Sequence, residues 1–375
     1  MYTRDVLPLI KHWLNKPEIL IIYGARQVGK TTLLNELIRL HPETVLLNCE
    51  LLQVAEILER KDLASIRSLF GSYRIICLDE AQKVAEIGSV LKLVYDELPM
   101  YKIIATGSSS FELSNKIVEP LTGRNIKFRL FPLSLDEMKK KNGWLWILNE
   151  LNQMLVFGTY PGIIDLVMPD KQVKLNELSS DYLYQDILVY ENIRHPSKLR
   201  SLLKALALQV GSQVSVNELA GLVGITRPMV EKYLDLLEKT FVIFRLPSFS
   251  KNMRNEIRKS HKFYFYDNGI LNALTGNFSM VTSRTDAGLL WENFCISERV
   301  KWHSYHQPEK ANLYFWRTYD GAEIDLIEEV DGKLKAFEFK WSLRRKAKIP
   351  HSFSSTYNVD NLEVVSPNTL HLLNN

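Results

Sequence analysis

Gly24-Ala25-Arg26-Gln27-Val28-Gly29-Lys30-Thr31-Thr32 decides how this chain is read. An apolar run, Ile19–Tyr23, precedes it. Leu33, Leu34, Leu37 and Ile38 follow at helical spacing. A G-x-x-x-x-G-K-T loop between a strand and a helix is a phosphate cradle with a physical basis. Glycines let main-chain N–H groups wrap an anion, and a helix start favours negative charge. All nine residues, Gly24 to Thr32, are therefore candidate nucleotide contacts. Lys30 reaches the terminal phosphates, and the Thr31 hydroxyl is a candidate ligand of Mg²⁺.

Further along, Ile75-Ile-Cys-Leu-Asp79-Glu80 reads as a buried strand that delivers two carboxylates at its C-terminal end. Open parallel sheets bind ligands at strand ends. Asp79 is expected to hold Mg²⁺ through its water shell, and Glu80 to polarise the attacking water. Short β-rich runs at Ile19–Tyr23, Thr44–Asn48, Arg74–Leu78, Lys102–Thr106 and Lys127–Phe131 alternate with helical patterns, which predicts a parallel α/β sheet.

These features together resemble the AAA+ branch of P-loop ATPases, over roughly residues 1–195. The resemblance implies ATP and Mg²⁺ as cofactors and ATP hydrolysis as the activity. It also implies a sensor hydroxyl at the end of the Ile103-Ile-Ala-Thr106-Gly-Ser108 strand, with Thr106 and Ser108 as candidates. The family often carries Asn there, so this chain departs from it. Arg124, in Leu121-Thr-Gly-Arg124, resembles the arginine finger that reaches a neighbouring subunit. The segment 136–195, with Leu145, Leu148, Leu151 and Leu155 spaced by three and four, takes the place of the helical lid.

Composition bounds the rest. The chain has 375 residues, enough for two or three domains, with 46% hydrophobic and 24% charged residues. No apolar run approaches the ~18–20 residues that span a bilayer. The start lacks signal-peptide character, and Cys49, Cys77 and Cys295 form no CxxC pair. A cytoplasmic protein without a membrane partner is expected. Net charge is only +4, but Lys251, Arg254, Arg258, Lys259 and Lys262 cluster, as do Arg344, Arg345, Lys346 and Lys348. Basic clusters of this kind suit either a phosphate backbone or a solvated loop.

Residues 199–247 resemble a winged helix-turn-helix, within a second module placed at 196–250. Ser215-Val-Asn-Glu218 reads as a capping box, Gly224 as the turn and Thr226 as the next cap. Val230, Tyr233, Leu234 and Leu237 are expected to face inward. The outer face of that helix balances Arg227, Lys232 and Lys239 against Glu231, Asp235 and Glu238, which argues equally for a packing module.

The last module, 251–375, has a strand at Lys262–Tyr266, a helix around Trp291–Val300, three strands near 313–317, 322–330 and 333–341, and a final strand at Leu362–Ser366. Asp331-Gly332 is a hairpin turn. Asp325 lies on one arm, with Glu338 and Lys340 sharing a face of the other. Two carboxylates and a lysine on one face suit a divalent metal and an attacking water. Glu292, in an apolar helix, is a further candidate ligand. The pattern resembles the restriction-endonuclease-like nuclease fold, in particular Holliday-junction resolvases. It implies Glu292, Asp325 and Glu338 as metal ligands and Lys340 as a catalytic residue.

The expected architecture is thus α/β: an AAA+ P-loop parallel sheet (1–135) with a helical lid (136–195), then a winged helix-turn-helix, then an α/β nuclease-like domain. The expected function is Mg²⁺-dependent ATP binding and hydrolysis coupled to DNA binding or processing. DNA and further copies of the chain are candidate partners. The alternative is a nucleotide-controlled signalling or scaffold switch whose nuclease-like domain is inactive.

Overall fold

In the computed structural model, residues 1–108, 121–182, 195–250, 261–306, 311–342, 348–359 and 361–374 are described. The chain divides into two compact units, one built on Met1–Leu133 and one on most of the remainder.

In the first unit, helices α1 (Leu7–Trp13), α2 (Lys30–Leu40), α3 (Leu52–Glu59), α4 (Leu63–Phe70) and α5 (Ile87–Glu97) accompany five strands. These are β1 (Ile19–Tyr23), β2 (Thr44–Asn48), β3 (Ile75–Asp79), β4 (Lys102–Gly107) and β5 (Asn125–Arg129). They form a parallel sheet in the order β2-β3-β4-β1-β5. The central strands β1, β3 and β4 are buried along their whole length, and the edge strands β2 and β5 only in part. Helices cover both faces of a parallel sheet, so its inner strands read as unbroken apolar runs. Because β4 is inserted between β1 and β3, the C-terminal ends of all three meet. Three strands differ from the sequence expectation at their ends: β3 spans Ile75–Asp79, β4 runs to Gly107, and β5 spans Asn125–Arg129. Hydrogen-bond register with the neighbours decides them, as in Ile19 against Asn125 and Asn48 against Asp79.

The second unit opens with α6 (Leu135–Asn142), α7 (Trp144–Phe157), α8 (Pro161–Ile164) and α9 (Asp170–Glu177). These helices, expected as a lid of the ATPase core, cluster instead with the C-terminal half of the chain. The reason is packing. The carbonyls of Leu155 and Val156 in α7 accept hydrogen bonds from Asn268 and Asn272 of α13 (Asn268–Thr275). Leu151 and Leu155 are buried as their spacing suggests, but Leu145 and Leu148 are exposed; Ile147 and Met154 take the inward positions.

Next come α10 (Pro196–Leu208), β6 (Gln213–Val214), α11 (Val216–Val223), α12 (Arg227–Lys239), β7 (Ile243–Leu246) and β8 (His261–Phe265). The strands form an antiparallel sheet in the order β6-β8-β7. The strand assigned from sequence to the C-terminal module therefore completes the sheet of the middle one, and residue 251 is not a clean boundary. Val230, Tyr233, Leu234 and Leu237 are buried as expected. Ser215 does stand at the N-cap of α11, but its side chain makes no capping hydrogen bond, so the expected box is not formed. The residues at 251–260 and 343–347, with most of both basic clusters, lie outside the described residues.

Helix α14 (Ala287–His306), strands β9 (Ala311–Arg317), β10 (Glu323–Val330) and β11 (Lys333–Phe339), helix α15 (His351–Tyr357) and strand β12 (Leu362–Val365) complete the unit. The sheet order is β12-β11-β10-β9. Neighbours are antiparallel except β11 and β12, which are parallel. Asp331 (φ 51°) and Gly332 (φ 76°) turn β10 into β11. Both residues sit at positive φ, the geometry of a tight hairpin that follows strand twist. Phe249, Trp316, Ile324, Ile327, Ala336 and Phe353 form the core on one sheet face. Helix α14 buries charged side chains in pairs: Arg299 with Glu328 at 2.6 Å and Lys301 with Glu298 at 2.7 Å. Buried charges are tolerated only when partnered in this way.

Candidate functional site

The phosphate loop joins β1 to α2. A Cβ on Gly24 would collide with the Leu130 carbonyl oxygen, so only glycine lets the loop pass. Gly29, at φ 98°, is the N-cap of α2, a left-handed conformation that also favours glycine. Ala25 and Val28 are buried, Arg26 is half-buried, and Gln27, Thr31 and Thr32 are exposed along the loop and first turn. Lys30 is 5% exposed, and its Nζ donates to the carbonyls of Gly24 and Ala25, each at 3.0 Å. The ammonium group thus sits inside the loop's concavity.

Residues far apart in sequence converge beside it. The Thr31 hydroxyl donates to Asp79 Oδ2 at 2.8 Å. Thr106 Oγ1 donates to Asp79 Oδ1 and accepts from the Glu80 amide at 3.3 Å. Glu80 stands at φ 54° at the end of β3, outside the strand's own conformation. Gln82 Nε2 donates to Glu80 Oε2, and also to Ser108 Oγ at 3.3 Å. Thr106 and Ser108 are both fully buried. Of the two sensor candidates, Thr106 touches Asp79 and the Glu80 backbone, whereas Ser108 accepts from Gln82, which in turn donates to Glu80. A hydroxyl and a carboxylate facing each other across the loop form the hard-oxygen pair that suits Mg²⁺, so Thr31 and Asp79 fit that ion. Burial, with the Asp79 charge, pushes the thiol of Cys77 up to about 12, and burial with Asp79 and Glu80 does the same to Cys49. Both thiols are therefore protonated and chemically quiet.

Arg124 lies elsewhere. Its carbonyl accepts from Ile19 N, at the opposite end of β1 from the loop. Its Nε donates to Asp96 at 3.0 Å. A five-residue strand separates it from Gly24, roughly 16 Å at ~3.3 Å per residue. Within its own subunit Arg124 does not reach the loop.

Two neighbours of this site carry no motif. Arg4, 4% exposed, donates to the Val28 carbonyl and the Phe131 carbonyl, each at 2.6 Å, and braces the loop from behind. Gln82 is the other, and its place two residues after Glu80 was the available sequence signal.

In the second unit, Leu326 pairs with Phe337, which sets Asp325 across from Glu338. Phe339 N donates to Asp325 Oδ2 at 2.8 Å, and Lys340 ion-pairs with Glu338. Glu292 Oε1 accepts from Tyr264 OH at 2.6 Å and Lys262 Nζ at 3.3 Å. Lys262 also pairs with Glu323 at 2.6 Å. Burial, then the charges of Glu292 and Glu338, hold the Asp325 carboxyl well above the usual range. Burial opposes the charged form of Lys340, but its bond to Glu338 and the charges of Asp325 and Glu338 outweigh that and raise it. Asp325, Glu338 and Lys340 thus lie together on β10 and at the end of β11, and the charge of Glu292 acts on Asp325. Glu292, Asp325 and Glu338 do not bring one oxygen each within 4.8 Å of one another. The three acids are not a ready metal cage, and Glu292 is paired with the ammonium group of Lys262. Lys262, Tyr264 and Glu323 were missed in the sequence; β8 reaches α14 only through tertiary packing.

Comparison with known proteins agrees with the first unit. Residues 16–139 match the family model described as an AAA domain. The five-stranded parallel sheet and the loop geometry lie within this matched segment. Residues 148–280 and 287–372 match two domains of unknown function, DUF8612 and DUF4143. The chain is similar to the uncharacterized protein Rv2008c of Mycobacterium tuberculosis, 26% identical over 343 residues, with 90% of this chain and 73% of that protein covered. It is also similar to the uncharacterized protein MJ1637 of Methanocaldococcus jannaschii, 27% identical, with 88% and 79% covered. Among solved structures, the Walker-type ATPase of Pyrococcus abyssi aligns over 73% of this chain and 96% of its own, at 19% identity and a TM-score of 0.46. No helix among the described residues is long and apolar enough to cross a membrane.

Proposed function

We propose that the first unit binds ATP with Mg²⁺ and hydrolyses it, and that the second unit couples this cycle to DNA. The observation that carries the first half is the chain of contacts Thr31–Asp79–Thr106–Glu80, which ties the phosphate loop to the carboxylates at the strand end. Loop amides and Lys30 bind the phosphates. Thr31 and Asp79 hold the metal ion, which neutralises phosphate charge when bound. Glu80 takes the proton from the attacking water, and Arg124 serves a neighbouring subunit's site.

Two features support the DNA half. The α10–β6–α11–α12–β7–β8 order, with its three-stranded antiparallel sheet, supports reading this segment as a winged helix. The α14–β9–β10–β11–α15–β12 order, with Asp325, Glu338 and Lys340 together, supports the nuclease-like reading of the last segment. ATP turnover measured alone and with single-stranded, duplex and branched DNA tests this reading. Stimulation that falls steeply with salt is expected. Turnover indifferent to every DNA form would remove DNA from the proposal.

Lys262 favours a second reading. A buried lysine already partners Glu292 and Glu323, and on α12 Arg227 pairs with Glu231 at 2.9 Å. Both suit a switch that binds protein and cuts nothing. Cleavage of any DNA form with Mn²⁺, lost on Asp325→Ala, would exclude it.

A further inference from the structure

We infer that Gln82 is the second water-holding residue of the hydrolytic site, acting together with Glu80; this rests on the ATPase reading above. The Asp79-Glu80-Ala81-Gln82 segment leaves β3 in a single 3₁₀ turn, Ala81–Lys83. That turn brings the Gln82 amide back over the Glu80 carboxylate. A carboxylate can only accept, so the group facing Glu80 Oε2 must be the amide NH₂. The same NH₂ reaches Ser108 Oγ at 3.3 Å. The carbonyl end, Oε1, is then left for a different donor. It is buried and has no hydrogen-bond partner among the described residues.

A buried amide oxygen without a donor is uncommon, and such an exception asks for a reason. A water with two hydrogens answers it. Glu80 has one oxygen committed to Gln82 and the other free of any bond to it. A water between Glu80 and Gln82 gives one hydrogen to the carboxylate and the other to Oε1. Its lone pair is then held in one direction, which is the entropic advantage of a positioned nucleophile. In the reaction the water oxygen forms the bond to the γ-phosphorus. Its proton passes to Glu80. The bond from the γ-phosphorus to the bridging oxygen breaks, and the electron pair leaves with ADP. Gln82 gains and loses nothing; it orients the water and fixes the rotamer of Glu80 through the Nε2 contact. Ser108 in turn holds the amide.

The test compares the full-length parental protein with Glu80→Gln, Gln82→Leu, Gln82→Glu and the double variant Glu80→Gln/Gln82→Leu. ATP affinity is measured with a fluorescent ATP analogue, and kcat and KM by phosphate release. Gln82→Leu should lower kcat by about 10²–10³-fold, the usual effect of deleting one preorganised polar contact. ATP affinity should stay near the parental value, since the group acts on the water and not on the nucleotide. The double variant should be no slower than Glu80→Gln alone, because two residues that hold one water act as a unit. If Gln82→Leu does not fold, Gln82→Glu carries the test. It keeps the shape, replaces the donor with a second carboxylate, and should show the same loss of kcat. Parental turnover in a folded Gln82 variant, additive losses in the double variant, or affinity falling in step with kcat would each overturn the inference alone. If the parental protein binds no ATP or releases no phosphate, the ATPase reading fails first and takes this inference with it.

Discussion

Thr31 and Asp79 are 48 residues apart in the chain and 2.8 Å apart in the fold. Single residues of this kind carry the clearest expectations. Lys30 is buried and held by two loop carbonyls, so its charge is aimed at whatever the loop encloses. Charge-assisted contacts of this type contribute about 1.5–3 kcal/mol. Lys30→Ala should therefore weaken ATP binding by at least tenfold, read by titration with a fluorescent ATP analogue. Glu80→Gln preserves shape and removes the base. It should retain ATP affinity and lose roughly 10²–10⁴-fold in turnover. A Glu80→Gln protein as fast as the parent would remove Glu80 from the reaction.

At the scale of elements, Asp267 is decisive for the second unit. Its carboxylate accepts from Gly269 N and Ile270 N at the start of α13, and from Thr159 N at 2.7 Å. A Cβ on Gly158 would collide with that carboxylate, so α7 must end in glycine at this point. Asp267→Ala leaves three buried amides without acceptors and should destabilise by about 2–4 kcal/mol, given ~1–3 kcal/mol for each unsatisfied group and partial relaxation. Asp267→Asn keeps an acceptor and should cost far less; equal losses in chemical denaturation would contradict the capping role. In the first unit, Lys102 opens β4 and donates to the carbonyls of Lys16, at 2.7 Å, and Glu18. Burial lowers it to about 8, against the opposing charge of Glu18. Between that value and the ordinary 10.5, the unfolded chain binds more protons than the folded one. Stability should therefore rise with pH across this window, by up to ~1.4 kcal/mol per pH unit from this group. Lys102→Met should remove that increment, and identical slopes for the two proteins would show that Lys102 is not displaced.

For the whole molecule, the two candidate sites can be separated. Lys30→Ala disables the first, so any Mn²⁺ that still binds reports the second. Binding there relieves the crowding of Asp325 with Glu292 and Glu338. It should be lost with Asp325→Ala, and strengthened by Lys262→Met, which frees Glu292 and Glu323 from their ammonium partner. Calorimetry showing no Mn²⁺ binding in either background would retire the metal site. Assembly is a second property at this scale. An arginine that cannot reach its own loop should act only between subunits, so turnover per chain should rise with protein concentration and Arg124→Ala should lower kcat more than affinity. Full activity from a monomer would leave Arg124 as the partner of Asp96 alone.

The sequence by itself determined the elements whose signal is local. The phosphate loop, the strand delivering Asp79 and Glu80, the inward stripe of α12 and the Asp331-Gly332 hairpin depend on residue type at short spacing. Glycine at positive φ, alternation and helical period all act within a few residues. Only the tertiary structure decided which elements keep company. The helices after residue 134 read as a lid, yet they join the C-terminal half through hydrogen bonds from Asn268 and Asn272, more than 110 residues away. Strand β8 read as the start of the last module, yet it completes the sheet with β6 and β7. The acids Glu292, Asp325 and Glu338 were legible one by one, but the lysine that pairs with Glu292 comes from β8. Such choices rest on the burial of complementary surfaces and the pairing of buried charge. Both are sums over residues far apart in the chain, and no window of sequence contains them.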